Sequence, residues 1–187
     1  MSTTGPDSAR AVVVCDHEGN PIRTATLLEV HQGAGVLHKA FSIFVFRNAG
    51  TELLLQQRSR HKALFPLRWA NTCCSHTSPA DERLGSAAGR RLQEEFGFSV
   101  ALREAGAFVY RATDPATQLT EYEHDTVLIG SANGAMALRP NRDEIADWRW
   151  VSVDDLQRDL RDDADAYAPW LAEALRVALA ELRASTS

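Results

Sequence analysis

The stretch RRLQEEFGF, residues 90–98, carries two arginines, two adjacent glutamates and a glycine between two phenylalanines. It reads as the end of a helix, because a glycine just past the last apolar-periodic residue is a common helix stop. Extended backwards through SPADERLGSAAG (residues 78–89), the pattern gains a Ser78-Pro79 start and acids in the first turn. Ala88, Leu92 and Phe96 then fall on one apolar face, while Arg91 and Glu95 pair four apart on another. Glu94 and Glu95 behind the arginines fit a solvated charged face. They also fit carboxylates turned towards a bound cation, and the helix alone leaves both open.

Strands surround this helix. AVVVC (11–15) is a short buried strand, followed by the turn signal DHEGNP and a second stretch, TATLLEV (24–30). LHKAFSIFVFR (37–47) and ELLLQQRS (52–59) read as two strands of a hairpin joined through NAGT. KALFPLRWANTCCSH (62–76) is a loop leading into a short strand, and further strands cover residues 100–112, 121–131 and 147–153. Residues 152–160 and 168–185 are helical, the last strongly amphipathic. The expectation is an α/β protein, a mixed β-sheet covered by helices, with residues 1–9 as a disordered tail and 10–187 as a single domain.

A chain of 187 residues with 44% hydrophobic and 24% charged content matches an ordinary soluble globular protein with room for a core. The formal net charge of −5 argues against a broad basic footprint for nucleic acid, but leaves room for a local cationic pocket. Apolar runs such as AFSIFVF are too short to span a bilayer, and MSTTGPDSAR has no apolar signal region. Neither membrane nor nucleic acid is an expected partner, and the cytoplasm is the expected compartment. Three cysteines do not make a disulfide framework.

Two stretches are rich in reactive side chains. In LTEYEHD, Glu121 and Glu123 lie two apart, so on a strand both carboxylates project to one side. Such a pair is either a solvated face or, since like charges side by side repel, the two halves of a cation site. Imidazoles that could complete it are His31, His38 and His76, a donor set suited to Zn, Mn or Mg. His17, His61 and His124 read as ordinary histidines. In NTCCSHTSP, Cys73 and Cys74 are adjacent, and a disulfide between neighbours would be strained. Metal binding, proton transfer and packing remain for them.

The helix sequence matches the Nudix motif, G-x5-E-x7-R-E-U-x-E-E-x-G-U with U apolar, at Glu82, Arg90, Leu92, Glu94, Glu95, Gly97 and Phe98. His76 stands at the opening glycine, and Arg91 at the first glutamate of the R-E pair. A Nudix helix with these two replacements, preceded by W-x-N-T-C-C-S-H, resembles the type 1 isopentenyl-diphosphate isomerases. The resemblance runs along almost the whole chain through LHKAFSIFVF, LLLQQRS, YRATD, EYEHD, DEIADWRWVS and APW. It implies a Nudix-like α/β/α sandwich and interconversion of isopentenyl and dimethylallyl diphosphates through a carbocation, for isoprenoid biosynthesis. It implies a Mn2+, Mg2+ or Zn2+ site formed by His31, His38, His76, Glu121 and Glu123. It also implies Cys74 and Glu123 as proton-transfer groups with Tyr110 beside Glu123, and Glu95 holding Mg2+ against the diphosphate. Arg58, Lys62 and Arg91 would contact the diphosphate, and Trp170 would face the isoprenoid carbons. Cys73, on the other side of the extended chain, is left to packing. The expected partner is a small isoprenoid diphosphate, and the expected state a monomer or weak homodimer.

One position departs from the resemblance. Leu27 stands four residues before His31, where relatives commonly carry a lysine, and a diphosphate contact goes with it. Two rival readings differ in class: a Nudix hydrolase of nucleoside diphosphate derivatives, and a non-catalytic Nudix-like binding module. Arg91 in place of the metal-holding glutamate argues against the first. The complete His/Glu set together with Cys74 argues against the second.

Overall fold

The computed structural model of the chain describes residues 9–77, 83–132 and 136–185. Ser78, Pro79 and Glu82 of the motif lie outside the described residues, as does the expected tail apart from Ala9. The helix expected to start at Ser78 with acids in its first turn begins instead at Leu84, after an extended Arg83 and with no acid in that turn.

The strands are β1 (Ala11–Cys15), β2 (Pro21–Thr26), β3 (His38–Arg47), β4 (Glu52–Arg58), β5 (Trp69–Ala70), β6 (Cys73–Ser75), β7 (Leu102–Thr113), β8 (Thr120–Ser131) and β9 (Ile145–Ser152). The helices are α1 (Leu27–His31), α2 (Leu84–Phe96), α3 (Val153–Asp162) and α4 (Leu171–Ala184). No helix among the described residues is long and apolar enough to cross a membrane.

All the strands join one mixed sheet organised around β3. One edge of β3 runs parallel to β8 from His38↔Glu123 to Phe46↔Ser131. The other edge is shared in succession by β1 at His38, β6 at Phe41–Ile43 and β4 at Phe46–Arg47. The expected hairpin therefore forms at its turn only. After two residue pairs β4 leaves β3 and takes β9 as its antiparallel partner from Glu52 to Arg58.

Strand alternation distributes β3 over two cores. Phe44 and Phe46 pack with Leu53, Leu55, Val127 and Ile129 under α3 and α4. Phe41, Ile43 and Val45 pack with Leu54 and Leu128 under α2, where Ala88, Leu92 and Phe96 form the expected apolar face. Helices on both sides of a sheet whose strands are buried on both faces give the expected three-layer arrangement. Each fully buried Leu or Phe in these layers contributes roughly 1.5–3 kcal/mol of transfer free energy. The α2 helix stops where expected: Gly97 adopts φ 73° and its N–H donates to the Gln93 carbonyl.

The second stretch is corrected. TATLLEV does not continue as a strand: β2 ends at Thr26, whose hydroxyl accepts the Glu29 N–H and caps α1. The sequence Thr-x-x-Glu is an N-cap followed by an acid in the first turn, and that local signal overrides the β-branched and apolar run. The switch places His31 at the end of a helical turn, buried, rather than on a strand face.

Candidate active site

A cavity of about 630 Å³ opens where β3, β6 and β8 meet α1 and α4. Its lining includes His31, His76, Glu121, Glu123, Cys74, Tyr110, Trp170, Arg58, Lys62 and Arg91. His38, beneath the surface, is fully buried beside it.

The parallel pairing of β3 with β8 brings His38 opposite Glu123, and the pairing of β3 with β6 brings Cys74 opposite Ser42. One donor atom from each of His31, His38, His76 and Glu121 lies within 4.8 Å of the others. Glu123 joins them: its Oε1 is 2.9 Å from His76 Nε2 and 3.6 Å from His38 Nε2. The Nδ1–H of His38 donates to the Val36 carbonyl at 2.8 Å, which leaves Nε2 with its lone pair facing the cluster. His31 Nε2 and Glu121 Oε2 are 3.0 Å apart and buried, yet neither makes a hydrogen bond of proper geometry among the described residues. Buried polar atoms left unsatisfied are costly, and converging lone pairs are what a divalent metal satisfies. The residues therefore fit the expected metal.

Burial opposes charge on His38, but the adjoining Glu123 carboxylate prevails and raises its pKa. For His76 burial wins and the pKa falls. Burial works against ionisation of Glu123 as well, yet the His38 and His76 imidazoles beside it hold its carboxyl well below the usual range. Tyr110 donates its hydroxyl proton to Glu123 Oε2 at 2.6 Å. Burial and the Glu123 charge push the Tyr110 phenol well up, so it stays protonated.

Cys74 occupies the other side of β3. Its thiol donates to Asn71 Oδ1 at 3.0 Å and lies 3.7 Å from Ser42 Oγ. Burial, with the Asp125 carboxyl adding to it, pushes the thiol up to about 12. Cys73 points into the core under α2, fully buried, as expected for packing.

The comparisons with known proteins agree with this geometry. The NUDIX domain profile matches residues 36–173. The isopentenyl-diphosphate Delta-isomerase of Nocardia farcinica is 43% identical over 174 residues, covering 93% of this chain and 97% of that protein. The chain belongs to this isomerase family. A second member, from Halorhodospira halophila, is 42% identical over 85% of this chain and 89% of its own. Among solved structures, DR0079 from Deinococcus radiodurans superposes with TM-score 0.70 at 16% identity, over 89% of this chain and 98% of that one. A Caenorhabditis elegans Ap4A hydrolase superposes with TM-score 0.55 at 20% identity, over 78% and 98%. These two likenesses show the Nudix fold alone.

The cationic end of this isomerase-family site is tied down by carbonyls and acids. Arg58 donates to the carbonyls of Phe65 and Leu64 and stacks 5.1 Å over the Trp170 ring. Lys62 pairs with Glu144, which also receives Arg91 at 3.4 Å. Glu95 lies apart from the His/Glu cluster. It is buried behind the cavity wall, its Oε1 accepting from Arg91 at 2.7 Å and its Oε2 from Gln56 at 3.3 Å. Burial raises its pKa against the opposing charges of Lys62 and Arg91. Leu27, the departing position, lines the cavity with Leu28.

Sequence reasoning passed over four residues here. Asp125 is buried, accepts from Ser42 Oγ at 2.7 Å, and its carboxyl is pushed well up by burial and by Glu123. Its signal was present, since Glu121, Glu123 and Asp125 repeat every second residue of one strand. Asn71, Ser42 and Glu144 have ordinary local sequences, and only their tertiary partners mark them.

Proposed function

We propose that the chain interconverts isopentenyl and dimethylallyl diphosphates, with Cys74 and Glu123 adding and removing the proton. The observation that carries this reading is that Cys74 on β6 and Glu123 on β8 enter one cavity from strands on either side of β3. Moving a double bond along a flat allyl unit needs a proton placed on one end carbon and another taken from the carbon at the other end, across the central cation. Groups arriving from two sides suit that. The thiol is held protonated and the carboxylate ionised. The pair is thus set to give a proton and to accept one, and microscopic reversibility exchanges their roles in the return direction. Tyr110 keeps the Glu123 carboxylate oriented through its hydrogen bond to Oε2.

Protonating a disubstituted alkene at its terminal carbon leaves a tertiary carbocation. The Trp170 and Tyr110 rings, with centroids 5.8 Å apart, give it aromatic faces whose quadrupole attracts positive charge. Phe41, Leu28, Leu64 and Leu119 line the same cavity and exclude the water that would trap the cation.

His31, His38, His76, Glu121 and Glu123 would hold a Mn2+, Mg2+ or Zn2+ ion, which supplies charge that keeps the Glu123 carboxylate in place and ionised. Arg58, Lys62 and Arg91 bind the diphosphate. Glu95, joined to the cationic end of the cavity through Arg91, would hold the diphosphate's Mg2+, which would supply charge against the phosphate oxygens.

Incubating the metal-loaded protein with isopentenyl diphosphate in heavy water tests the proposal. Both acid–base groups exchange with solvent, so the expected product is an intact diphosphate with deuterium on carbon. Release of phosphate or a monophosphate without labelled carbon would overturn the reading in favour of hydrolysis, and neither change would leave a binding module.

A further inference from the structure

We infer that Asn71 is a positioning residue that sets the Cys74 thiol and the Trp170 indole against the substrate as one unit. The inference rests on the isomerase reading of the cavity. Asn71 sits between β5 and β6 and is fully buried. Its amide nitrogen donates to two backbone carbonyls, Ile43 at 3.2 Å and Cys73 at 2.9 Å. Carbonyls only accept, so these two bonds decide which way the amide faces. The oxygen is thereby turned the other way, where it accepts the Cys74 S–H at 3.0 Å and the Trp170 Nε1–H at 3.0 Å.

One oxygen with two lone pairs therefore carries both groups, and both pairs are engaged. Trp170 comes from just before α4, 99 residues further along the chain, so no local geometry aligns it with the thiol. The chemistry needs that alignment. The carbon that receives the thiol's proton and the carbon that becomes cationic are bonded neighbours, so the sulfur and the ring face must sit in register with one allyl unit. In the structure the S–H is parked on Asn71. Rotation about the Cys74 Cβ–Sγ bond swings the proton to carbon while the sulfur keeps its place. The backbone bonds of the amide anchor the pair to β3 and β6, the same strands that carry Ser42 and Cys74.

The test compares Asn71→Ala with the unaltered chain by three readouts: steady-state kinetics on isopentenyl diphosphate, thermal melting, and the indole N–H signals of isotope-labelled tryptophan. The expected result is a kcat lowered by about 10²-fold in the folded variant, the usual effect of displacing a reacting group by ~1 Å, with KM within about threefold. The Trp170 indole signal should shift upfield and exchange faster. A purely structural role would lower the melting temperature and move the indole signal but leave turnover per folded molecule where it was, and that result overturns the proposal. If Asn71→Ala does not fold, Trp170→Phe carries the test, because it keeps an aromatic ring and deletes the shared N–H. It should lower kcat and change the alkylation rate of Cys74, and no change in either is again fatal. Failure of the isomerase reading itself would appear in the unaltered chain, as absence of carbon-bound deuterium, whereas failure of the Asn71 role leaves that labelling intact.

Discussion

Two neighbouring cysteines have opposite fates because a strand alternates. Cys73 faces α2 in a fully buried core, and Cys74 faces the cavity between Ser42 and Asn71. Cys74→Ala is expected to lower isomerase turnover by roughly 10²- to 10⁴-fold while the fold survives. Cys73→Ala should instead cost on the order of 1 kcal/mol of stability, a small cavity's worth, and leave turnover per folded molecule intact. Equal losses from both would sink the assignment of the pair. Alkylation rate against pH checks the protonation state. The thiol is raised from 9.0 to about 12, so it keeps its proton through neutral pH and yields thiolate only as pH climbs towards that value. At pH 8 its alkylation, read by mass spectrometry at that residue, should be about 10³-fold slower than that of an ordinary cysteine, since only the thiolate reacts. An ordinary rate would show that the thiol is not held as an acid.

Among the elements, α2 links the core to the cationic end of the site. Its apolar stripe of Ala88, Leu92 and Phe96 is buried under the sheet, while Arg91 and Glu95 project together towards Lys62 and Glu144. The helix has to end at Gly97, where φ is 73° and a Cβ would come within 2.9 Å of the Arg139 Cβ. Gly97→Ala should therefore destabilise the chain by about 1–2 kcal/mol, from left-handed strain before any clash is added. Thermal melting reads it, and an unchanged melting temperature would contradict the cap. The RRLQEEFGF stretch exposed this helix because it holds the stop, the charges and the last two residues of the apolar stripe. The split of TATLLEV into β2 and α1 was equally local, marked by Thr26 and Glu29, but the apolar run obscured it.

Over the whole molecule, the His/Glu cluster joins parts of the chain that are far apart in sequence. His31 comes from α1, His38 from β3, His76 from just after β6, and Glu121 and Glu123 from β8. A metal bound by the folded chain and not by the unfolded one stabilises by mass action, about 2.7 kcal/mol at a hundredfold excess over Kd. Chelation should lower the melting temperature and abolish turnover, and returning a divalent metal should restore both. In His38→Ala the metal-dependent rise in melting temperature should be lost. A melting temperature indifferent to metal in the unaltered chain would mean that the cluster binds none.

The amino-acid sequence by itself determined the elements and the inventory of chemistry. Its periodicities separate most strands from helices. The His, Glu and Cys residues of the site stand out through the resemblance carried by NTCCSH, EYEHD and the Nudix helix rather than through their own spacing. Only the tertiary structure decided how that inventory is wired. β4 abandons β3 for β9, because β6 and β1 occupy the rest of that edge of β3. Asn71, Ser42, Asp125 and Glu144 belong to the site through partners 32 to 99 residues away. A buried amide or hydroxyl has a common side chain in a common local context. What distinguishes it is the polar group that burial forces it to satisfy, and that group is chosen by the fold.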